Sequence, residues 1–403
     1  MRHPNHLTKH LLATLIATTL SACDLLSVTP SKTTNSANAA REGVLRTLAH
    51  HIYPQLYSNA LTSAEALKRE LDSWEGGPRD STQEAWRDLA NAWQRAELAQ
   101  VGPAGASGLR AGGQDLRDLI YSFPLNNPCR VDQELALNSF SDAGWAARSV
   151  ISARGIDALE RLLFAQDNTN ACDPAININR DGTWAALTPS EISARRVALA
   201  RVLIDDLITS LTQLSAAWAH DAETTRALTE GGAPFSGQRE ALDQVYAAIL
   251  YLDKVSRDLK LALPLGFSPE CPDERERCPE RLEHTLARMS RDALIANLEG
   301  FLMIFEGRTS LDASSAEEGL FGFDDLLADE GAAALSGEII ELATACLDGL
   351  RPLDADLAVT LRDDPEALLA VYDRLKALTD LLKSQLATVL NLSLPMEGAG
   401  DND

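Results

Sequence analysis

Apolar residues recur at three- and four-residue spacing in eight long segments, near 41–73, 81–99, 132–166, 189–228, 236–262, 281–305, 333–350 and 364–392. That period lays one apolar stripe along a helix, whereas a half-buried strand needs strict alternation, which is nearly absent. The pattern predicts an all-α fold. Helix starts are signalled by Ser81 with Glu84 three residues on, by Thr188-Pro189-Ser190-Glu191, and by Asp364-Pro365-Glu366. Gly102-Pro103, Pro264-Leu265-Gly266 and Gly349 mark stops.

A body of about 360 residues exceeds the usual limit for a single core. Two helical-bundle-like domains are therefore expected, 41–230 and 231–395, with a cleft between them and a division near Glu230-Gly231-Gly232-Ala233-Pro234. Residues 396–403 read as a disordered tail. The long polar loops at 101–131, 165–188, 263–280 and 306–332 are of the kind that is either functional or disordered.

The amino end carries Arg2 and Lys9, then an apolar run from Leu11 to Leu20, then Leu20-Ser21-Ala22-Cys23. This is a secretory signal over residues 1–22, too short to remain as a membrane-spanning helix. Small residues before a cysteine resemble the bacterial lipobox, which implies cleavage before Cys23, its lipidation, and membrane attachment through that anchor. Residues 23–40, rich in Ser, Thr, Asn and Ala, read as a flexible tether. The expected location is the periplasm or cell envelope, with the choice of inner or outer membrane open. Removing residues 1–22 takes away two basic residues and no acid, leaving 34 basic against 59 acidic residues and a net charge of −25. Such a body is repelled by phosphates, which argues against nucleic acid as a partner.

Five cysteines remain besides Cys23, and an oxidising compartment favours pairing. Cys129 and Cys172 lie in Asn/Pro/Asp-rich loop sequence, and Cys271 and Cys278 bracket a short polar segment; both pairs are expected as disulfides. Cys346 sits in an apolar helical stretch and reads as a buried free thiol.

Two places carry chemistry. In the helix expected over 146–164, Ala153, Asp157, Glu160 and Phe164 share one stripe beside Ile156, Leu159 and Leu163. Like charges three residues apart repel, and if partly buried they require a cation, an arginine or a shared proton. Arg154 and Arg161 point away from Asp157, and Gly155 in mid-helix invites close approach of another backbone. A solvated acidic edge with a tolerated glycine is the other reading. In residues 84–103, Trp86, Ala90, Trp93 and Glu97 form a second stripe. The tryptophans face the core, and Glu97 is either directed into a cleft or wet at a frayed helix end.

At these residues the chain resembles the imelysin family, whose hallmark is a G-x-H-x-x-E helix. Here the stretch reads Gly155-Ile156-Asp157-Ala158-Leu159-Glu160, followed by Leu162-Leu163-Phe164. The segments AWRDLANAWQRAE, LRDLIYSFPLNNPCRVDQEL, DLKLALPLG, NLEGFLMIFEG and LKALTDLLKSQLATVLNLSLP resemble family segments in the same order, so the likeness spans about residues 41–395. It implies a two-domain helical protein, exported and often lipid-anchored, associated with iron uptake, with a site near the motif helix. Carried over by position, that site holds Trp93, Glu97, Gly155, Asp157 and Glu160, with Glu97, Asp157 and Glu160 as metal ligands.

The departure is Asp157 in the histidine position. A carboxylate shifts preference toward harder cations, iron among them, and removes the neutral-pH general base. Of the four histidines beyond the signal, His50, His51, His220 and His284, none forms H-E-x-x-H, and His220-Asp221-Ala222-Glu223 lacks the motif glycine. No nucleophile elbow or phosphate-binding loop occurs. The expectation is a non-enzymatic envelope protein with no catalytic residues, binding a metal cation or a metal-bearing ligand. A metallopeptidase of the imelysin type is the alternative. A structural or partner-binding role through loops 101–131 and 306–332 is a further one.

Overall fold

A computed structural model describes residues 32–165, 167–271, 277–311 and 319–395, and among them helices and turns carry the whole fold without a strand. The signal, Cys23 and the expected tail lie outside the described residues. No helix among those described is long and apolar enough to cross a membrane.

Helix α1 (Lys32–Thr47) runs through a π-turn at Leu48–Ile52 into α2 (Tyr53–Asp72), and α3 (Asp80–Ala96) returns alongside. Short helices follow: α4 (Leu116–Ile120), α5 (Pro128–Leu137), α6 (Trp145–Arg148), α7 (Gly155–Phe164) and α8 (Asn177–Arg180). Then come the long α9 (Pro189–Ala217), α10 (Glu223–Glu230) and α11 (Gln238–Ile249), which leads into a wide π-helix, Leu252–Ala262. The remainder is α12 (Ser290–Phe305), α13 (Phe323–Asp329), α14 (Ala333–Leu350), α15 (Leu357–Asp363) and α16 (Pro365–Leu381), ending through a second π-turn in α17 (Ala387–Val389).

Helix α2 packs between α3 and α9, and α7 lies against α9 and α3. In the second half, α14 packs on α16 and α12, and the π-helix packs on α16 and α12. The halves meet where α3 lies along α12. Gly300 makes that approach possible, since a Cβ there would fall 2.1 Å from the Arg95 carbonyl oxygen. One continuous apolar core runs from Ala40 to Leu390, so the seam between the halves is packed.

Several expected boundaries move, each for a local reason. Residues 32–40, expected as tether, belong to α1, whose Ala40 and Val44 are buried. The helix expected over 132–166 breaks after Leu137, because Asn138 at φ +52° caps α5 and Gly144 at φ +72° turns the chain again. The helix expected from 281 begins only at Ser290. Before it lies a loop in which His284 and Arg288 both adopt positive φ, 52° and 54°. Ser81 does not cap α3, which starts at Asp80; its hydroxyl donates to Glu70 at 2.7 Å. The Thr188–Glu191 capping box and the Asp364 cap form as their sequences predict. Both disulfides, Cys129–Cys172 and Cys271–Cys278, are present, and Cys346 is a buried free thiol.

Candidate metal-binding site

Helix α7 owes its starting point to Gly155. This residue has φ +73°, and a Cβ would sit 2.4 Å from the Ile120 carbonyl oxygen, so only glycine lets the end of α4, and with it the turn that follows, lie against the helix start. The turn supplies what Asp157 requires. One carboxylate oxygen accepts the amides of Ser122 at 2.8 Å and Phe123 at 3.0 Å, and the Ser122 hydroxyl at 3.1 Å. Asp157 also lies in the first turn of α7, where the helix dipole favours negative charge. From α3, the Trp86 indole donates to the Ile156 carbonyl at 3.0 Å and fixes α7 against the tryptophan stripe.

One turn on, Glu160 receives the Ala287 amide at 2.9 Å on one oxygen and faces His284 Nδ1 at 3.0 Å with the other. The positive φ of His284 turns its ring inward, edge-on to Trp86 with centroids 5.2 Å apart and beside Tyr121 at 5.7 Å. One potential ligand atom from each of Asp157, Glu160 and His284 lies within 4.8 Å of the others. All three residues are more than nine-tenths buried, at 7%, 6% and 4% exposure.

Behind the imidazole runs a buried polar ladder. His284 Nε2 lies 3.3 Å from the Tyr121 hydroxyl, which donates to Glu283. Glu283 pairs with Lys260 Nζ at 3.0 Å and accepts the Gln94 amide at 3.0 Å. Lys260, delivered by the π-helix, also donates to Gln94 and Asn297, each at 2.8 Å. The ladder therefore ties α3 to the π-helix, the 282–289 loop and α12 across the seam.

Electrostatics follow from burial. Loss of water raises the Asp157 pKa to about 6, with Glu160 adding to the rise and His284 opposing it. Burial disfavours a charged His284, but Glu160, Glu283 and Asp157 outweigh it and hold its pKa above the ordinary value. Desolvation wins at Lys260, whose pKa is lowered despite Glu283 and Glu97. At Glu283 the order reverses: burial is overcome by Lys260, His284 and Tyr121, and the pKa falls.

The structure brings Asp157 and Glu160 together but changes their setting. Gly155 opens the helix rather than interrupting it, and Ala153 belongs to a preceding 3₁₀ turn, off the stripe. Arg154 pairs with Asp206 and Arg161 with Asp132, so neither neutralises the site. Glu97 is fully buried but stands outside the triad: Arg117 grips it through Nη2 at 2.8 Å and Nε at 3.2 Å. A carboxylate so neutralised has little left for a cation. Trp93 is buried beside Tyr57, with ring centroids 6.4 Å apart.

His284 is the residue that sequence reasoning missed. Its partner Glu160 is 124 positions away, so no local spacing announces the pair, and the apolar period over 281–305 disguises the loop as helix. Lys260 gave a fainter signal, as a cation in the apolar run Leu259–Leu263.

One imidazole nitrogen and two carboxylates, buried and together negative, fit a borderline or hard transition-metal cation. Held metal-free, the site relies on a proton on His284 to bridge its Nδ1 to Glu160.

The family model for imelysin matches residues 53–385. No curated protein matches the chain. Among solved structures, an imelysin-like protein from Psychrobacter arcticum 273-4 superposes with a TM-score of 0.64 at 19% identity, covering 88% of this chain and 97% of that one. A protein named as a candidate iron-regulated protein A precursor, from Parabacteroides distasonis ATCC 8503, gives 0.64 at 15% identity, with 91% and 96% covered. These neighbours share the fold, and the family match extends over most of the sequence: the chain belongs to the imelysin family.

Proposed function

We propose that this imelysin-family protein is a lipid-anchored component of the bacterial cell envelope that binds a metal cation, with iron the leading candidate, without acting as an enzyme. Asp157, Glu160 and His284 would hold the ion, which would take the place of the His284 proton beside the two buried carboxylates. The observation that carries the reading is the convergence of these three side chains from both halves of the chain. The iron-regulated name of one structural neighbour supports the choice of iron. Attachment through Cys23 rests on the signal and lipobox pattern.

Peptide cleavage is disfavoured by access. A polypeptide would have to reach groups over nine-tenths buried.

Titration of the metal-free protein with Fe(III), Fe(II), Mn(II) and Zn(II) tests the reading. Glu160→Ala and His284→Ala should each abolish tight binding. Binding weaker than about millimolar, or unchanged in both variants, would remove the site. Casein cleavage lost with chelator and with Glu160→Ala would restore the peptidase reading.

A further inference from the structure

Far in sequence from the buried triad, the π-turn at Leu48–Ile52 meets the turn that follows α9. Tyr53 and Trp218, both fully buried, pack edge-to-face with centroids 4.9 Å apart and fix the two backbones against each other. On that base His50 and His220 bring their rings to a centroid distance of 4.7 Å. Nδ1 of His220 faces the Asp221 carboxylate at 3.0 Å, which orients the ring and leaves Nε2 directed elsewhere. His50 Nδ1 is buried and has no hydrogen-bond partner.

A buried imidazole nitrogen without a partner is costly unless something else engages it. The carboxylate–histidine pair beside it is the arrangement that orients metal-ligating imidazoles, since the carboxylate fixes the tautomer and raises the basicity of the other nitrogen. The π-turn adds to the case, because insertion of an extra residue into a helix is frequent at functional positions. From these positions we infer a second metal site, in which His50 and His220 bind a divalent transition-metal ion of the copper, nickel or zinc class, with Asp221 positioning His220.

The donors suit that class: neutral imidazole is a preferred ligand for Cu(II), Ni(II) and Zn(II), and Cu(II) binds most tightly in the ordinary order of stability. Burial first, then the neighbouring His220, His51 and Arg46, lower the His50 pKa, which favours the neutral ring that a metal requires. Side-chain exposure of 82% at His220 leaves that ring open to an entering ion. The site shares no residue with Asp157, Glu160 or His284, so the two sites stand or fall separately.

The test is Cu(II) titration of the full chain, followed by calorimetry and by electron paramagnetic resonance. The expected result is one equivalent bound with hyperfine splitting from two nitrogens, beyond any Cu(II) taken by the Asp157–Glu160–His284 triad, which Glu160→Ala removes. His50→Ala and His220→Ala should each weaken binding by more than about tenfold, and Asp221→Ala by about tenfold. Glu160→Ala should leave this Cu(II) signal unchanged. His220 is exposed, so His220→Ala should keep the native thermal melt, which separates loss of a ligand from loss of fold. A spectrum with fewer than two nitrogens, or native affinity in both histidine variants, would overturn the site.

Discussion

Replacing Gly155 with alanine should be far more damaging than a methyl group suggests. At φ +73° an L-residue pays about 1–2 kcal/mol for the left-handed backbone alone. The added Cβ would also lie 2.4 Å from the Ile120 carbonyl oxygen, a backbone atom that no rotamer change can move aside. Forced backbone shifts of this kind cost about a further 1–3 kcal/mol, giving a total of about 2–5 kcal/mol. Gly182→Ala is the matched control: its φ is +76°, but nothing lies within 4 Å of its Cβ position, so only the conformational part should remain. Urea denaturation followed by circular dichroism measures both. The clash should also push the Ser122 and Phe123 amides away from Asp157, so Gly155→Ala should weaken metal binding where Gly182→Ala does not. A Gly155→Ala protein no less stable than Gly182→Ala would refute the argument that close approach fixes this helix start.

Four further outcomes are expected. Lys260→Met should destabilise by about 3–5 kcal/mol because it leaves Glu283 buried without its cation, and adding Glu283→Gln should recover most of that in the same denaturation assay. Gly300→Ala should destabilise despite better helix propensity, since its Cβ meets the Arg95 carbonyl at 2.1 Å, and a melt that rises instead would contradict the packed seam. Replacing both Cys129 and Cys172 with serine opens a link across 43 positions and should cost about 4 kcal/mol in the chain-entropy picture, read as a lower denaturation midpoint. In metal-free protein Asp157 keeps its proton up to about pH 6, while the unfolded chain loses it near 3.8. Stability should therefore fall as pH rises through that window, by about 3 kcal/mol. The raised His284 pKa acts in the same direction, its contribution being lost as pH climbs through the folded value. Asp157→Asn should flatten the lower part of the profile, and a native curve that rises there would refute the assignment.

Helix identity was legible because the long apolar periods of α2, α9 and α16 are local facts, each readable within its own window. The breaks were harder. The 138–154 stretch keeps enough apolar residues to mimic a helix, but left-handed Asn138 and Gly144 end it. At the site, the Gly155–Glu160 segment was visible because its chemistry is confined to two helical turns. Glu97 was visible as a carboxylate on a tryptophan stripe, yet its partner Arg117 lies in a loop-bound helix whose position only tertiary packing decides. His284 was invisible for the same reason: the interaction that gives it meaning is long-range, and backbone turns from 282 to 289 aim it.

The triad draws Glu160 from α7 and His284 from the loop before α12, with the packed α3–α12 seam between those regions. An ion held there would behave as a clasp between two separately encoded halves. Synthesis delivers the carboxylates first, and no capture is possible until residues 282–289 have been made and seated. Occupancy would then favour the assembled chain over every partly folded form by an amount that grows with the free ion concentration. Metal supply would set how long the protein lasts as well as what it carries.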